Sequence, residues 1–145
     1  MNQLFYENTP DDRYATLFLA VYDEGSRQLE YANCGHNPPL LFRAKGGVER
    51  LCPTATVIGF SADWECTTEM VRLEPGDVLV IYTDGVTEAN DVGGNEFGEE
   101  RLQEVVRRNL RASPSELLRA IQQAVQRFSV GEQFDDLTLV VARAR

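Results

Sequence analysis

The pattern of hydrophobic and polar positions changes period about two thirds of the way along the chain. Before that point, apolar residues come in short runs separated by Gly, Pro and polar residues, which is typical of strands joined by tight turns. After it, apolar residues recur every three or four positions, which is typical of amphipathic helices. One further apolar run closes the chain. The pattern therefore predicts several strands, then two helices, then a last strand.

The first part predicts two hairpins and further strands. Tyr14–Asp23 (YATLFLAVYD) is apolar at consecutive positions, which predicts a central strand buried on both faces. EGS then predicts a turn, and Arg27–Cys34 predicts the returning strand. Leu40–Leu51 predicts a second hairpin that turns at its KGG sequence, and Thr67–Leu73 predicts another strand. The EPGD sequence that follows is a strong turn signal.

The second part predicts two helices with apolar faces. The stretch EERLQEVVRRNL spaces its apolar residues as one helical stripe. Ser113 begins SPSE, which combines a capping residue, Pro at the first helical position and Glu116 three residues later. The apolar residues of both helices are expected to form core: Leu102, Val105, Val106, Leu110, Leu117, Leu118, Ile121, Ala124, Val125 and Phe128.

Carboxylates flank two of the predicted strands. In VLVIYTDGVTEAN, five apolar residues and a Thr lead to Asp84 and Gly85, while Asp135 and Asp136 precede the last strand. If the two strands are antiparallel neighbours, Asp84 and Asp135 converge, and two such carboxylates repel unless a hard cation lies between them. Carboxylate oxygens favour Mg²⁺ or Mn²⁺, and a single His in the chain argues against zinc. Solvated acids in ordinary turns remain the alternative.

Other candidate chemistry is less well supported. DVGGNEFGEE resembles a calcium-binding loop, but Gly93 occupies the place of a second ligand. An aspartyl-phosphate mechanism requires a second acid two residues after Asp84, where Val86 stands. His36, next to Gly35 and the NPP sequence, is either a catalytic acid or a turn residue that bonds the backbone.

Composition narrows the class of protein. At 145 residues, the chain is long enough for one domain over residues 1–145, and 43% hydrophobic residues are ordinary for a globular protein. The net charge of −9 argues against a nucleic-acid partner. No apolar run has the length of a membrane span, so a cytoplasmic protein without a membrane partner is expected. Three cysteines without CxxC spacing predict free, mostly buried thiols.

Five segments in order resemble one family: YATLFLAVYD, LEYANCGHNPPLLF, LEPGDVLVIYTDGVTEAN, EFGEERL and FDDLTLVV. They are similar to the PPM-type (protein phosphatase 2C-like) serine/threonine phosphatases, in the bacterial branch of the sporulation stage II protein E phosphatase and the stress-response sigma-factor regulators. The resemblance implies an α/β (α+β) sandwich of antiparallel β-sheets with flanking helices. It also implies a binuclear Mg²⁺ or Mn²⁺ centre and a metal-activated water that attacks phosphoserine or phosphothreonine. The implied substrate is a phosphorylated regulatory protein of the anti-sigma-factor antagonist type.

The resemblance carries roles to individual residues. Asp84 and Asp135 match metal ligands of the family, and Asp136 matches a neighbouring position implied to orient the site. Gly85 is implied to let the backbone pass close to the metals. Gly35 and His36 match a shared turn motif without an implied catalytic role.

The chain also departs from the family. Members usually carry an earlier half with a Gly-Asp segment, a D-x-S-G-x-G turn and two helices, whereas MNQLFYENTPDDR resembles only the end of the second helix. The expectation is therefore an incomplete domain, lacking N-terminal strands and helices and weak or inert on its own. Because the missing helices would otherwise cover the sheet, an exposed apolar sheet face is expected, which a second copy could cover. The alternative function is a catalytically inactive module that binds a partner protein.

Overall fold

The computed structural model describes residues 1–10, 12–129 and 136–145. Contacts divide the chain into two compact units, Met1–Pro38 with Arg50–Glu74, and Pro39–Glu49 with Pro75–Arg145. The sheets of both units are antiparallel and the chain carries helices, which confirms the predicted α+β class. None of the helices in the described part of the chain has the length and apolar character needed to cross a bilayer.

The first unit contains a helix and a three-stranded sheet. Its elements are α1 (Asn2–Asn8), β1 (Leu17–Asp23), β2 (Gln28–Cys34) and, further along the chain, β5 (Glu69–Arg72). The strand order is β1-β2-β5. Strands β1 and β2 form the predicted hairpin, in register from Leu17 opposite Cys34 to Asp23 opposite Gln28.

The prediction that Tyr14–Asp23 forms a central strand was wrong. Strand β1 lies at the edge of its sheet and, among the described residues, pairs along its length with β2 alone. Leu19 is 55% exposed and Val21 is 67% exposed. A run of apolar side chains indicates that both faces of a strand are buried. It does not indicate whether the backbone of the strand is hydrogen-bonded to one neighbouring strand or to two.

The three cysteines all carry free thiols, as predicted, but only one is buried. Cys34 on β2 is buried, whereas Cys52 and Cys66 are exposed. The Sγ atoms of Cys34 and Cys66 lie 3.9 Å apart, beyond disulfide distance. Burial, followed by the contact with Cys66, raises the pKa of the Cys34 thiol to about 11.

The second unit is built around a buried central strand. Its strands are β3 (Leu40–Phe42), β4 (Val48–Arg50, whose last residue falls in the first unit), β6 (Val78–Tyr82) and β7 (Leu139–Arg143), in the order β4-β3-β6-β7. The hairpin β3-β4 turns at the predicted KGG sequence, where Gly46 N donates to Arg43 O. Strand β6 is antiparallel to both of its neighbours and almost wholly buried, as its apolar run predicted.

Two long helices cover this sheet. The second unit also contains α2 (Asp84–Thr87), α3 (Gly98–Arg108) and α4 (Pro114–Phe128). The apolar stripes of α3 and α4 pack against the sheet, which confirms the predicted core residues of both helices except Leu118, which is half-buried outside this cluster. The most deeply buried members of this cluster are Leu40, Phe42, Val78, Val80, Val86, Leu102, Val106, Leu117 and Ile121.

A buried ion pair joins the start of β6 to the end of β3. Asp77 is 3% exposed, and its carboxylate accepts hydrogen bonds from Arg43 Nη1 at 2.7 Å and from Ala44 N at 2.8 Å. Arg43 also donates to both carboxylate oxygens of Glu49, at 2.6 and 2.8 Å. A buried carboxylate is costly unless a charged partner compensates it, and Arg43 is that partner. The pair therefore holds the turn before β6 against the end of β3.

Helix α4 begins at the predicted capping box. Ser113 Oγ accepts from Glu116 N, and the Glu116 carboxylate accepts from Ser113 N at 2.8 Å. Pro114 occupies the first helical position. Two amides that lack helical partners are thereby satisfied.

We expect the substitution Ser113→Ala to lower the free energy of unfolding by about 1 kcal/mol, because the cap to the Glu116 amide is lost. Urea unfolding followed by circular dichroism measures this change. The control Gln122→Ala shortens an exposed side chain in the middle of the same helix and should stay within about 0.5 kcal/mol of the unsubstituted protein. Equal losses in the two variants would contradict the capping role.

Candidate functional site

Asp84 stands where the buried strand β6 gives way to a turn of helix. Val86 N donates to Thr83 O, and Glu88 N donates to Asp84 O, so the chain winds into α2 immediately after the strand. The Asp84 carboxylate is exposed, and its Oδ1 accepts from Gly85 N at 3.0 Å. Oδ2 accepts no hydrogen bond from any residue that the structure describes. A carboxylate oxygen at the end of a rigid strand is therefore accessible to a cation.

The segment before β7 passes directly beside Asp84. Strands β6 and β7 are antiparallel neighbours, with Tyr82 opposite Leu139, as the predicted convergence required. A Cβ atom placed on Gly85 would lie only 2.8 Å from the backbone oxygen of Asp136. Any side chain at position 85 would push this backbone away. The absence of a Cβ is what permits the close approach.

Thr83 links the two segments, a role that the sequence pattern did not predict. Its Oγ1 donates to Asp136 O at 3.1 Å and accepts from Thr138 N at 3.0 Å, while its own N–H donates to Thr138 O. This one side chain holds the approach to β7 against the end of β6. A hydroxyl directly after the apolar run was the available signal, but its partners lie more than 50 residues away.

Of the two acids predicted before β7, the structure describes only the second, Asp136. Asp135 lies outside the described residues. Asp136 has an exposed side chain, and its backbone oxygen faces Gly85 and Thr83. The structure thus brings Asp84, Gly85 and the backbone of Asp136 together, and it leaves the pairing of Asp84 with Asp135 as a prediction.

Gly35 and His36 form a turn in the first unit. Gly35 has a φ of 72°, and a Cβ placed there would lie 2.6 Å from Val57 Cγ1, so glycine is required on both counts. His36 N donates to Asn33 Oδ1 at 2.9 Å. This bond fits the interpretation of the motif as a backbone turn.

Asn33 organises that turn, and sequence reasoning missed it. The side chain is fully buried, and besides accepting from His36 it donates through Nδ2 to Leu51 O at 3.0 Å. Its backbone oxygen accepts from the amides of Thr54 and Ala55. A buried amide with both functions bonded therefore joins the turn after β2 to the segment that contains Leu51 and Thr54.

The donor set near Asp84 fits a hard cation only in part. Magnesium is commonly held by one or two carboxylates together with waters, and the exposed Asp84 carboxylate suits such a role. In residues 1–10, 12–129 and 136–145, no three or more His, Cys, Asp or Glu side chains are grouped as a metal site would require. The described residues therefore supply one candidate ligand, Asp84, and the close backbone approach of Asp136 beside it.

The family model for Stage II sporulation protein E (SpoIIE) matches residues 1–145. Protein IcfG of Synechocystis sp. is 35% identical over 128 residues, which cover 88% of this chain and 20% of IcfG. Phosphoserine phosphatase RsbU of Bacillus subtilis is 29% identical over 147 residues, covering 100% of this chain and 43% of RsbU. The chain thus spans less than half of the length of these two relatives.

Solved structures share the fold. The SiaA PP2C domain of Pseudomonas aeruginosa superimposes with a TM-score of 0.85 at 22% identity, over 99% of this chain and 58% of that domain. The phosphatase domain of SpoIIE from Bacillus subtilis, in crystals presoaked with Mn, gives a TM-score of 0.68 at 21% identity, over 97% of this chain and 62% of that one. RsbX in complex with magnesium also shares the fold, with a TM-score of 0.63 at 18% identity, over 97% of this chain and 59% of that one. With the match along its whole length, the chain belongs to the SpoIIE family of PP2C-type phosphatase domains.

Proposed function

We propose that this chain is part of a metal-dependent protein serine/threonine phosphatase in which Asp84 and Asp135 bind Mg²⁺ or Mn²⁺. The observation that carries the proposal is the backbone of Asp136 lying against Gly85, because it delivers the residue after Asp135 to the immediate neighbourhood of Asp84. Two carboxylates at one edge of a sheet favour a hard cation between them. Residues 1–145 are assigned to a single phosphatase domain in this proposal.

Each residue near Asp84 has a definite part in this chemistry. A divalent cation held there supplies Lewis acidity toward phosphoryl oxygens and acidifies a bound water. The Asp84 carboxylate holds the cation at the end of a strand that cannot shift without disturbing the core. Gly85 keeps the space into which the segment before β7 fits, and Thr83 fixes that segment by two hydrogen bonds. Asp136 orients the site from the second segment.

Gly35 and His36 support the fold in this proposal and do not take part in the reaction. Their turn is held through the backbone by the buried amide of Asn33. The proposed phosphatase therefore depends on His36 for turn geometry and not for proton transfer.

The proposed substrate is a phosphoserine or phosphothreonine of a regulatory protein of the anti-sigma-factor antagonist type, in the cytoplasm. RsbU, whose match covers the whole of this chain, is named a phosphoserine phosphatase. The net charge of −9 favours a protein substrate over a nucleic acid. The exposed apolar residues Leu19, Val21 and Met70 on the first sheet offer a surface that a second copy could cover.

Hydrolysis of a phosphoserine peptide by the purified chain, with millimolar Mn²⁺ and with a chelator, tests the proposed function. The expected result is slow phosphate release that requires the metal, because the chain is expected to be a weak catalyst on its own. Turnover that continues unchanged in the chelator would contradict it, because a reaction that depends on a bound metal stops when the metal is removed.

A second candidate function is a catalytically inactive module that binds a phosphoprotein. The observation in its favour is the lack of a group of three metal-ligating side chains in the described ranges. Absence of turnover together with retained capture of a phosphorylated regulator would support the module, because docking does not require a complete ligand set.

A further inference from the structure

The second unit contains a cavity of about 550 Å³ at the end of its sheet opposite to Asp84. The cavity lies where β6 begins and β7 ends, and β6 spans about 17 Å from there to the Asp84 end. Its walls come from the β3-β4 turn, the turn at Gly76, the end of α3 and the end of β7. Five basic residues line it: Lys45, Arg107, Arg108, Arg111 and Arg143.

The cavity is positively charged, whereas the chain as a whole has a net charge of −9. Among the residues that the structure describes, no acidic one belongs to its lining, although the chain carries 23 acidic and 14 basic residues in all. Arg108 forms an ion pair with Glu104 at 3.0 Å, which offsets one positive charge. The remaining four positive charges give the cavity a local potential opposite to that of the whole molecule.

Part of this positive charge has a structural explanation. Arg107 and Arg108 lie in the last turn of α3, where cations interact favourably with the helix dipole. Arg143 Nη2 donates to Leu110 O and Ala112 O, both at 2.6 Å. These bonds cover backbone oxygens that would otherwise repel an anion at this end of α3.

Lys45 and Arg111 lack such an explanation. Both are exposed, and neither forms a hydrogen bond or ion pair with any residue in the described part of the chain. They reach the cavity from different segments, the β3-β4 turn and the connection between α3 and α4. Two unpaired cations that converge on a cavity already positive cost free energy through repulsion unless an anion binds between them.

We propose that this cavity binds a small molecule that carries two or more adjacent phosphate groups, such as a nucleoside polyphosphate. The volume lies in the range of small-molecule sites, and separate cations on several walls match several phosphates better than one. Arginine forks and a lysine are the side chains that bind phosphate oxygens. A nucleic acid fits less well, because the acidic surface beyond the cavity repels an extended phosphate backbone. This site is independent of the proposed phosphatase reaction.

Calorimetric titration with inorganic tripolyphosphate, without added divalent metal, tests the proposal. The unsubstituted chain should bind saturably, and the double variant Lys45→Gln/Arg111→Gln should bind about tenfold more weakly, from the loss of two exposed charge contacts. The matched control Arg119→Gln/Arg127→Gln removes the same charge from α4, away from the lining, and should bind within about twofold of the unsubstituted chain. Asp84→Asn should also leave the affinity unchanged, which separates this site from the catalytic one.

Three results would overturn the proposal. The first is no saturable binding by the unsubstituted chain at millimolar tripolyphosphate. The second is an equal loss in the two double variants, which would mean a diffuse effect of net charge. The third is equal affinity for tripolyphosphate and inorganic phosphate, which would exclude recognition of adjacent phosphates. Thermal unfolding of each variant verifies that the comparison concerns folded protein.

Discussion

Asp84→Asn is expected to weaken Mn²⁺ binding by at least about tenfold and to remove metal-dependent phosphate release. The substitution keeps the size of the side chain but removes its negative charge, and hard cations bind anionic oxygen far better than an amide oxygen. Loss of a residue that only orients a ligand already costs about 10- to 100-fold in metal affinity, so the loss of a ligand itself should cost no less. Titration of Mn²⁺ followed by electron paramagnetic resonance measures the affinity without depending on turnover.

Glu88→Gln provides a matched control for this substitution. Glu88 is exposed and directly follows α2, so its neutralisation changes the net charge by the same amount within four residues of Asp84. Its Mn²⁺ affinity should fall by no more than about threefold, because a carboxylate that does not contact the cation attracts it only weakly through water and salt. If Asp84→Asn bound Mn²⁺ as well as Glu88→Gln does, Asp84 would not be a metal ligand.

Asp77→Ala is expected to lower the free energy of unfolding by about 3 kcal/mol, because it removes one partner of a buried ion pair. Arg43 would lose its 2.7 Å bond, and the amide of Ala44 would lose its acceptor. The cost lies at the lower end for such changes, since Arg43 retains Glu49. For a chain of this length, the midpoint of thermal unfolding should fall by about 10 °C.

Glu49→Ala tests whether the loss of stability depends on the burial of the carboxylate or only on its ion pair with Arg43. The side chain of Glu49 is 51% exposed, whereas that of Asp77 is 3% exposed, and both bond the same arginine. Removal of the exposed partner should cost no more than about 1 kcal/mol. Equal losses for the two variants would show that the burial of Asp77 does not set its contribution.

Local signals in the sequence were sufficient for the strands and the two long helices of the second unit. The uninterrupted apolar run Val78–Tyr82 became the central strand, and the SPSE sequence became a complete capping box at Ser113. Both features depend on residues within a few positions of each other, so their physical causes are visible in the sequence. Asp84 and Gly85 were placed correctly for the same reason, as the end of a strand and the turn that follows it.

Features that depend on distant partners could not be read in this way. The pairing of β1 is set by backbone edges, so its side chains suggested a central strand that the structure places at an edge. Thr83 acts on Asp136, and Asn33 acts on Leu51, 53 and 18 residues away respectively. Lys45, Arg111 and Arg143 meet at one cavity only because the sheet and α3 bring their segments together.

The position of β6 between β3 and β7 also determines how rarely the backbone that leads to Asp84 unfolds locally. Local fluctuations break the hydrogen bonds of strand edges and termini at low cost, whereas a strand bonded on both sides within a core opens only when most of the structure unfolds. Strand β6 is bonded to β3 and β7 and covered by α3 and α4. Amide hydrogens of Val78–Tyr82 should therefore be among the slowest to exchange with solvent, and the strand that leads to Asp84 should keep its position during local fluctuations.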